Sequence, residues 1–297
     1  MSSPLSKLEL LPQLVLRLLL FLYVICLFAA QVWVVLPALF VDQLHAYALY
    51  LAVGVYILIG FLFNAVKLVL TSPSIKGLML VSKAGPDWTY CVNCQSVRPP
   101  RTRHCHICDI CILRRDHHCV LLAQCVGFTN WRFFFSMLYF GAFGGSLATY
   151  FHMRFVFGPY FLPENWSTGF RLLCLFSPPG LMWILRQATL WQCGFFSLTS
   201  SCLLFTCFQC CFLIYHMLLM ARNQTMYDRV SRCMATDAVG SLDSTYPSTD
   251  IYNLGLRENV KQFLGANWFR AVFVPFSQSP LSTDGLSYPR ADGIKFK

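Results

Sequence analysis

Between residues 91 and 125 the chain places seven cysteines and four histidines, a density that calls for metal binding, disulfide pairing or thiol chemistry. The order is Cys91-x2-Cys94, then His104-Cys105-x2-Cys108-x2-Cys111, then Asp116-His117-His118-Cys119, then Cys125. A Cys-x2-Cys pair turns tightly enough to offer two thiolates to one tetrahedral metal, zinc above all. Two closed zinc sites need eight ligands, and the seven cysteines with His104, His106, His117 and His118 offer eleven. A cysteine left over beside a histidine and an aspartate is what nucleophilic catalysis requires, because a neighbouring base or positive charge turns a thiol into the reactive thiolate. The alternative reading is a purely structural zinc domain, with Asp116 and one histidine as supports to the ligands. Spacing by itself does not say which cysteine is spare.

These residues must be held by a largely apolar chain. Of 297 residues 56% are hydrophobic and only 12% charged, about half the charge of a usual soluble domain. The apolar residues gather into four runs, Leu18–Val41, Ala46–Val66, Phe133–Phe151 and Cys193–Ala221. Each is long enough to cross a hydrocarbon core as helix. Leu172–Leu185 is shorter and is broken by Pro178-Pro179-Gly180, so it reads as re-entrant or interfacial. The first run is too long for a signal peptide and reads as an anchor. The fold class expected is an all-α polytopic membrane protein with four transmembrane helices. A small cytosolic double-zinc domain lies between helices 2 and 3. Its segments are 1–70 with the first two helices, 71–132 with the cysteine-rich domain, 133–221 with the last two helices and their loop, and a tail at 222–297. No internal repeat stands out along the chain.

A net charge of +10 could suggest nucleic acid, but its placement points to a membrane. Lys and Arg concentrate at Lys67–Arg132 and from Arg222 onward, while Ala38–Leu49 has none. The positive-inside rule then puts the cysteine-rich segment and both termini in the cytosol. There disulfides are disfavoured and metal binding preferred. The loop after the third run becomes luminal, and the sequon Asn165-Trp166-Ser167 suits that side. A second sequon, Asn223-Gln224-Thr225, would be cytosolic and unused.

At these residues the chain closely resembles the DHHC-type protein S-acyltransferases, or palmitoyltransferases. In register with that family's motif are Cys91, Cys94, Arg98, Pro99, Arg101, His104, Cys105, Cys108, Cys111, Asp116, His117, His118, Cys119, Cys125, Val126, Gly127 and Asn130. The resemblance implies one zinc on Cys91, Cys94, His104 and Cys111, and a second on Cys105, Cys108, His118 and Cys125. Both would be structural, since four protein ligands leave no open position. It also implies that Asp116, His117 and Cys119 are the reacting set. Cys119 would take a long-chain acyl group from palmitoyl-CoA or a similar acyl-CoA, and a membrane-proximal cysteine of a protein substrate would receive it. By analogy Arg98, Arg101 and Arg103 pair with the CoA phosphates, and the acyl chain lies among the spans. The setting implied is a multi-pass protein of endomembranes, Golgi or endoplasmic reticulum, partnered by acyl-CoA, protein substrates and the bilayer, with no nucleic acid.

Three positions depart from the family pattern. Val120-Leu121 stands where Pro-Trp often follows the nucleophile. Ser72-Pro73-Ser74 replaces Asp-Pro-Gly after the second run. Thr225-Met226-Tyr227-Asp228 replaces Thr-Thr-x-Glu, and Met226 has no side-chain donor with which to brace the site. Asn259 and Gly265 keep the family's Asn-x5-Gly element, with Trp268 and Phe269 expected to pack on the membrane-facing side. These departures keep one rival in view, a zinc-stabilised membrane adaptor of the same family with little or no turnover.

Overall fold

A computed structural model describes residues 4–78, 85, 87–158, 161, 167–178, 180–231 and 249–291. Asn165 and Trp166 of the first sequon, the polar loop through 248 and the last six residues lie outside that set.

The helices follow the apolar runs. Helix α1 spans Pro4–Ala30 and runs through a π-helical turn at Gln31–Val35 into the short α2, Leu36–Leu39. Then come α3 (Leu44–Leu70), α4 (Trp131–Phe157), α5 (Thr168–Phe176), α6 (Leu181–Ile184) and α7 (Leu190–Ala221). A helical turn at 226–231 (α8) precedes α9, Leu256–Leu264, and α10, Trp268–Phe273.

Three helices among the described residues are long and apolar enough to cross a membrane: Leu11–Leu39, Leu44–Leu70 and Leu190–Ala221. This differs from the four expected. Helix α4 has the length, at 27 residues, but Gly141, Gly144, Gly145, Ser146, Thr149 and His152 dilute its apolar character. Those small residues serve contact instead. A Cβ on Gly141 or Gly145 would stand 2.5 Å from the side chain of Gln209 or Thr206 on α7, so this Gly-x3-Gly face lets the two backbones approach. Among the described residues between Ser167 and Leu185 only the short α5 and α6 form, and neither reaches spanning length.

The chain divides into two compact units. One comprises Phe21–Phe61 with Leu138–Leu213. Its core joins Val35, Leu36, Phe151, Phe155, Leu175 and Phe196. It also holds an apolar cavity of about 120 Å³ lined by residues such as Leu27, Phe28, Leu58, Phe140, Leu147 and Phe205.

The other unit comprises Met1–Leu20, Leu62–Met137 and Ile214–Lys297. Its described residues include six three-residue strands paired as three antiparallel hairpins. They are β1 (Thr89–Cys91) with β2 (Ser96–Arg98), β3 (Arg103–Cys105) with β4 (Ile110–Ile112), and β5 (His117–Cys119) with β6 (Gln124–Val126). Each turn carries a residue with left-handed backbone, Gln95, Asp109 and Ala123 in order. The hairpins recur every fourteen residues: Cys91, Cys105, Cys119, then Cys94, Cys108, Leu122. The chain therefore does hold an internal repeat, contrary to the sequence reading. It escapes notice because only the cysteine and histidine positions, and not the residues between them, are kept.

Strands this short cannot sustain themselves, so their partners matter. Ile75, Leu113, Phe128 and Tyr288 pack beside Cys91 and Cys111. The Arg114 guanidinium is fully buried between the rings of Phe128 and Phe263, and donates to the Gln262 carbonyl at 2.9 Å. The tail segment is thereby bound to the hairpins. Asn259 reaches from α9 to accept the Leu254 N–H and to donate to the Ala221 carbonyl at 2.8 Å, satisfying an orphan acceptor at the end of α7. Gly265 has φ +87°, and a Cβ there would meet the Pro280 carbonyl oxygen at 2.7 Å, so the family glycine is required by both backbone and space. Trp268 and Phe269 on α10 remain exposed, whereas Val272 is buried.

Candidate active site

The hairpin repeat sets the two metal-ligand groups. Directly opposed residues of an antiparallel pair project to one face. His104 opposes Cys111, and His118 opposes Cys125. The turn cysteines of each hairpin meet the opposed His and Cys of the next. Cys91, Cys94, His104 and Cys111 thus form one group, and Cys105, Cys108, His118 and Cys125 another, each with ligand atoms within 4.8 Å of one another. His104 Nδ1 lies 3.3 Å from Cys94 Sγ, and His118 Nδ1 lies 3.3, 3.5 and 3.6 Å from the sulfurs of Cys108, Cys125 and Cys105. Ligands at ordinary zinc–sulfur and zinc–nitrogen distances stand about 3.6 Å apart along a tetrahedral edge, so three thiolates and an imidazole arranged this way fit a tetrahedral ion.

With Nδ1 facing the thiolates, His118 carries its proton on Nε2 and donates it to Gln13 Oε1 at 2.7 Å. Gln13 sits on α1, more than a hundred residues away, and is buried. Nothing in the sequence pattern singles it out. Such an outer partner fixes the tautomer and orientation of a metal-ligating ring. His106 stays outside both groups and packs edge-on against His104.

The third hairpin has no successor. Its turn positions are Cys119 and Leu122, and among the described residues no fourth hairpin supplies a His and Cys to close a metal site around them. Cys119 is therefore the thiol left over, and Leu122 fills the other position with a buried side chain. Beside Cys119 on β5, His117 Nδ1 is 2.7 Å from Asp116 Oδ2. Burial works against charge on His117, but hydrogen bonds to Asp116 and to Cys119 outweigh it and hold its pKa up at about 9. Burial likewise opposes ionisation of Asp116, yet the His117 contact overcomes it and keeps the carboxyl below its usual range. The pair is sealed by Phe134, whose ring meets His117 edge-on at 4.9 Å.

A second support comes from the segment after α7. The Met226 N–H donates to Asp116 Oδ1 at 3.0 Å. That N–H is free because α8 begins there with reciprocal capping: Thr225 Oγ1 accepts from the Asp228 N–H, and Asp228 Oδ2 accepts from the Thr225 N–H. Met226 thus supplies through its backbone the brace that its side chain lacks. Arg101 holds this turn in place, reaching Asp228 Oδ2 at 2.8 Å and Asn223 at 2.9 and 3.0 Å, with Tyr252 and Tyr288 against its guanidinium. Proline is well tolerated at the first position of a helix and lacks only the N–H. Met226→Pro is expected to lower acyl-enzyme formation roughly 10- to 100-fold, the worth of one charge-assisted hydrogen bond. Met226→Ala should stay within about threefold of the parent, since it keeps that N–H. Single-turnover labelling rates of the two proteins check this.

Of the three arginines expected at CoA phosphates, Arg98 and Arg103 line one open cleft of about 270 Å³ with Tyr90, Asn93, His106 and Tyr227. Arg101 does not share that surface. It is buried and its charge is already met by Asp228, which corrects the expectation for this residue.

Cys119 thus lies outside both metal-ligand groups, with its own imidazole and carboxylate beside it, a combination suited to covalent acyl transfer. Comparison with known proteins agrees. Residues 85–232 match the family model described as DHHC palmitoyltransferase. The mouse protein named "Probable palmitoyltransferase ZDHHC24" is 35% identical over 248 residues, covering 82% of this chain and 79% of its own length. Its human counterpart is 33% identical with the same coverage. Rat "Palmitoyltransferase ZDHHC15" is 29% identical over 67% of this chain and 50% of its own. The chain belongs to the DHHC palmitoyltransferase family, and so to the acyltransferases.

Proposed function

We propose that this protein moves a long-chain acyl group from acyl-CoA to a cysteine of membrane-associated proteins through a thioester on Cys119. The observation that carries the reading is the unligated Cys119 beside the His117–Asp116 pair. His117 takes the Cys119 proton on Nε2, since its Nδ1 is engaged with Asp116. The thiolate attacks the thioester carbonyl carbon, the bond to the CoA sulfur breaks, and the proton held by His117 goes to the departing CoA thiolate. In the second half the substrate cysteine gives its proton to His117 and attacks the acyl carbon, restoring the Cys119 thiolate. Cys91, Cys94, His104 and Cys111 hold one zinc ion and Cys105, Cys108, His118 and Cys125 a second. Bound there, the ions fix the hairpins and take no part in the chemistry.

Arg98 and Arg103 face the CoA phosphates, and Arg101 belongs to the brace on Asp116. The chain crosses an endomembrane, Golgi or endoplasmic reticulum, four times, with α4 as the third span and the hairpins and both termini in the cytosol. The apolar cavity lined by Leu27, Phe28, Leu58, Phe140, Leu147 and Phe205 has the lining a saturated chain requires, each buried methylene contributing about 0.8 kcal/mol. The exposed Trp268 and Phe269 suit a position at the lipid interface. The Met226 backbone bond removes one ground for the adaptor reading.

The test is incubation of the purified protein with a clickable palmitoyl-CoA. A hydroxylamine-sensitive label is expected on the parent and not on Cys119→Ser. An equal label on both proteins, or none on the parent, would sink the reading.

A further inference from the structure

We infer that His216, on α7, is a positioning residue for the Asp116–His117 pair. The inference rests on the reading of Cys119, His117 and Asp116 given above, and adds to it a residue that neither the motif nor the sequence pattern singled out. His216 is fully buried. Its Nδ1 lies 3.8 Å from Asp116 Oδ2, within ion-pair range and longer than a hydrogen bond. Its ring is 5.7 Å from that of His117 and 5.0 Å from that of Phe134. Phe134 therefore stands edge-on to both imidazoles at once. Asp116, His117 and His216 bring their polar atoms within 4.8 Å of one another, a group apart from the two metal-ligand sets.

The arrangement gives His216 a definite task. Asp116 is met on Oδ1 by the Met226 N–H and on Oδ2 by His117, with His216 beside the same oxygen. One segment, the end of α7 and the turn after it, thus contacts the carboxylate from two sides. His216 keeps the carboxylate from rotating away and, with Phe134, leaves the His117 ring one orientation, Nδ1 on Asp116 and Nε2 toward the thiol. A buried polar ring is costly unless a partner meets it, and a chain optimised only for packing would place phenylalanine here among Phe134 and Trp131. Misplacing a reacting group by about 1 Å can cost as much as 100-fold in rate.

The experiment compares His216→Phe, His216→Asn and His216→Gln in detergent-solubilised full-length protein. Acyl-enzyme formation is followed over a range of palmitoyl-CoA concentrations, and thermal unfolding is measured alongside. Phenylalanine keeps the volume and loses the polar atoms. Asparagine puts an amide near the Nδ1 position, and glutamine near Nε2. His216→Phe is expected to lower kcat roughly 10- to 100-fold with KM for palmitoyl-CoA unchanged. His216→Asn should recover most of the rate and His216→Gln little. If His216→Phe works within twofold of the parent, or if Asn and Gln lose rate equally and in step with melting temperature, His216 is packing only and the inference is overturned. Persistence of the label on Cys119→Ser would instead strike at the underlying reading.

Discussion

Stripping the metal from the purified protein should abolish acyl-enzyme formation and open residues 88–126 to protease, and Cys105→Ser alone should do nearly the same. The reason lies in how little else holds the hairpins. Each consists of two three-residue strands, and the hydrophobic packing around them is confined to a few side chains such as Ile75, Leu113 and Phe128. A structural zinc contributes apparent binding energy of roughly 10–16 kcal/mol in small zinc-finger peptides near neutral pH. That is about the whole stability of an ordinary domain. Losing Cys105 also leaves Cys108, His118 and Cys125 short of the four ligands that close a tetrahedral site. The expected readouts are two equivalents of zinc per chain before treatment, none after a strong chelator, and loss of label in parallel with limited proteolysis. Retention of full labelling by a metal-free sample would contradict the structural role of both sites.

Asp116→Asn should be nearly as damaging while leaving the fold intact. Asp116 accepts twice, from the Met226 N–H on Oδ1 and from His117 Nδ1 on Oδ2. Asparagine has one acceptor, which the backbone N–H of Met226 claims. Its NH2 group then faces His117 Nδ1, and the two donors cannot meet unless the histidine proton moves to Nε2. That leaves Nε2 protonated toward Cys119, with no lone pair to take the thiol's proton. The same exchange in a serine-protease triad costs about 10⁴-fold in kcat, and an effect on the order of 10³-fold or more is expected here. Stopped-flow release of CoA measures it, with zinc content and melting temperature as controls that should not change.

The part of the fold that was legible in the sequence is the part governed by short spacings. Cys-x2-Cys knuckles and charge-free runs declare themselves locally, so the metal-ligand candidates and three of the long helices follow directly. Helix α4 is less legible because its glycines trade apolar character for close approach to α7. Gln13 and His216 were illegible for another reason. Each lies about a hundred residues from its partner, and each sits in an apolar helix where a lone polar residue carries no pattern. Met226 misled because a side-chain motif cannot report a backbone hydrogen bond. Arg101 misled in the opposite direction, since a conspicuous cation beside two others turns out to be internal.

The fourteen-residue hairpin repeat has a consequence for where a reactive thiol can arise at all. The array behaves as a directional polymer in which every unit is capped by its successor. A row of n such units closes n − 1 ions, and the last unit always presents an uncapped cysteine. Reactivity is then a property of being the terminus, and needs no special ligand to be deleted from a metal site. The spare cysteine inherits its placement from the scaffold's translation along the chain, so the two metal-ligand groups upstream act as the ruler that locates Cys119.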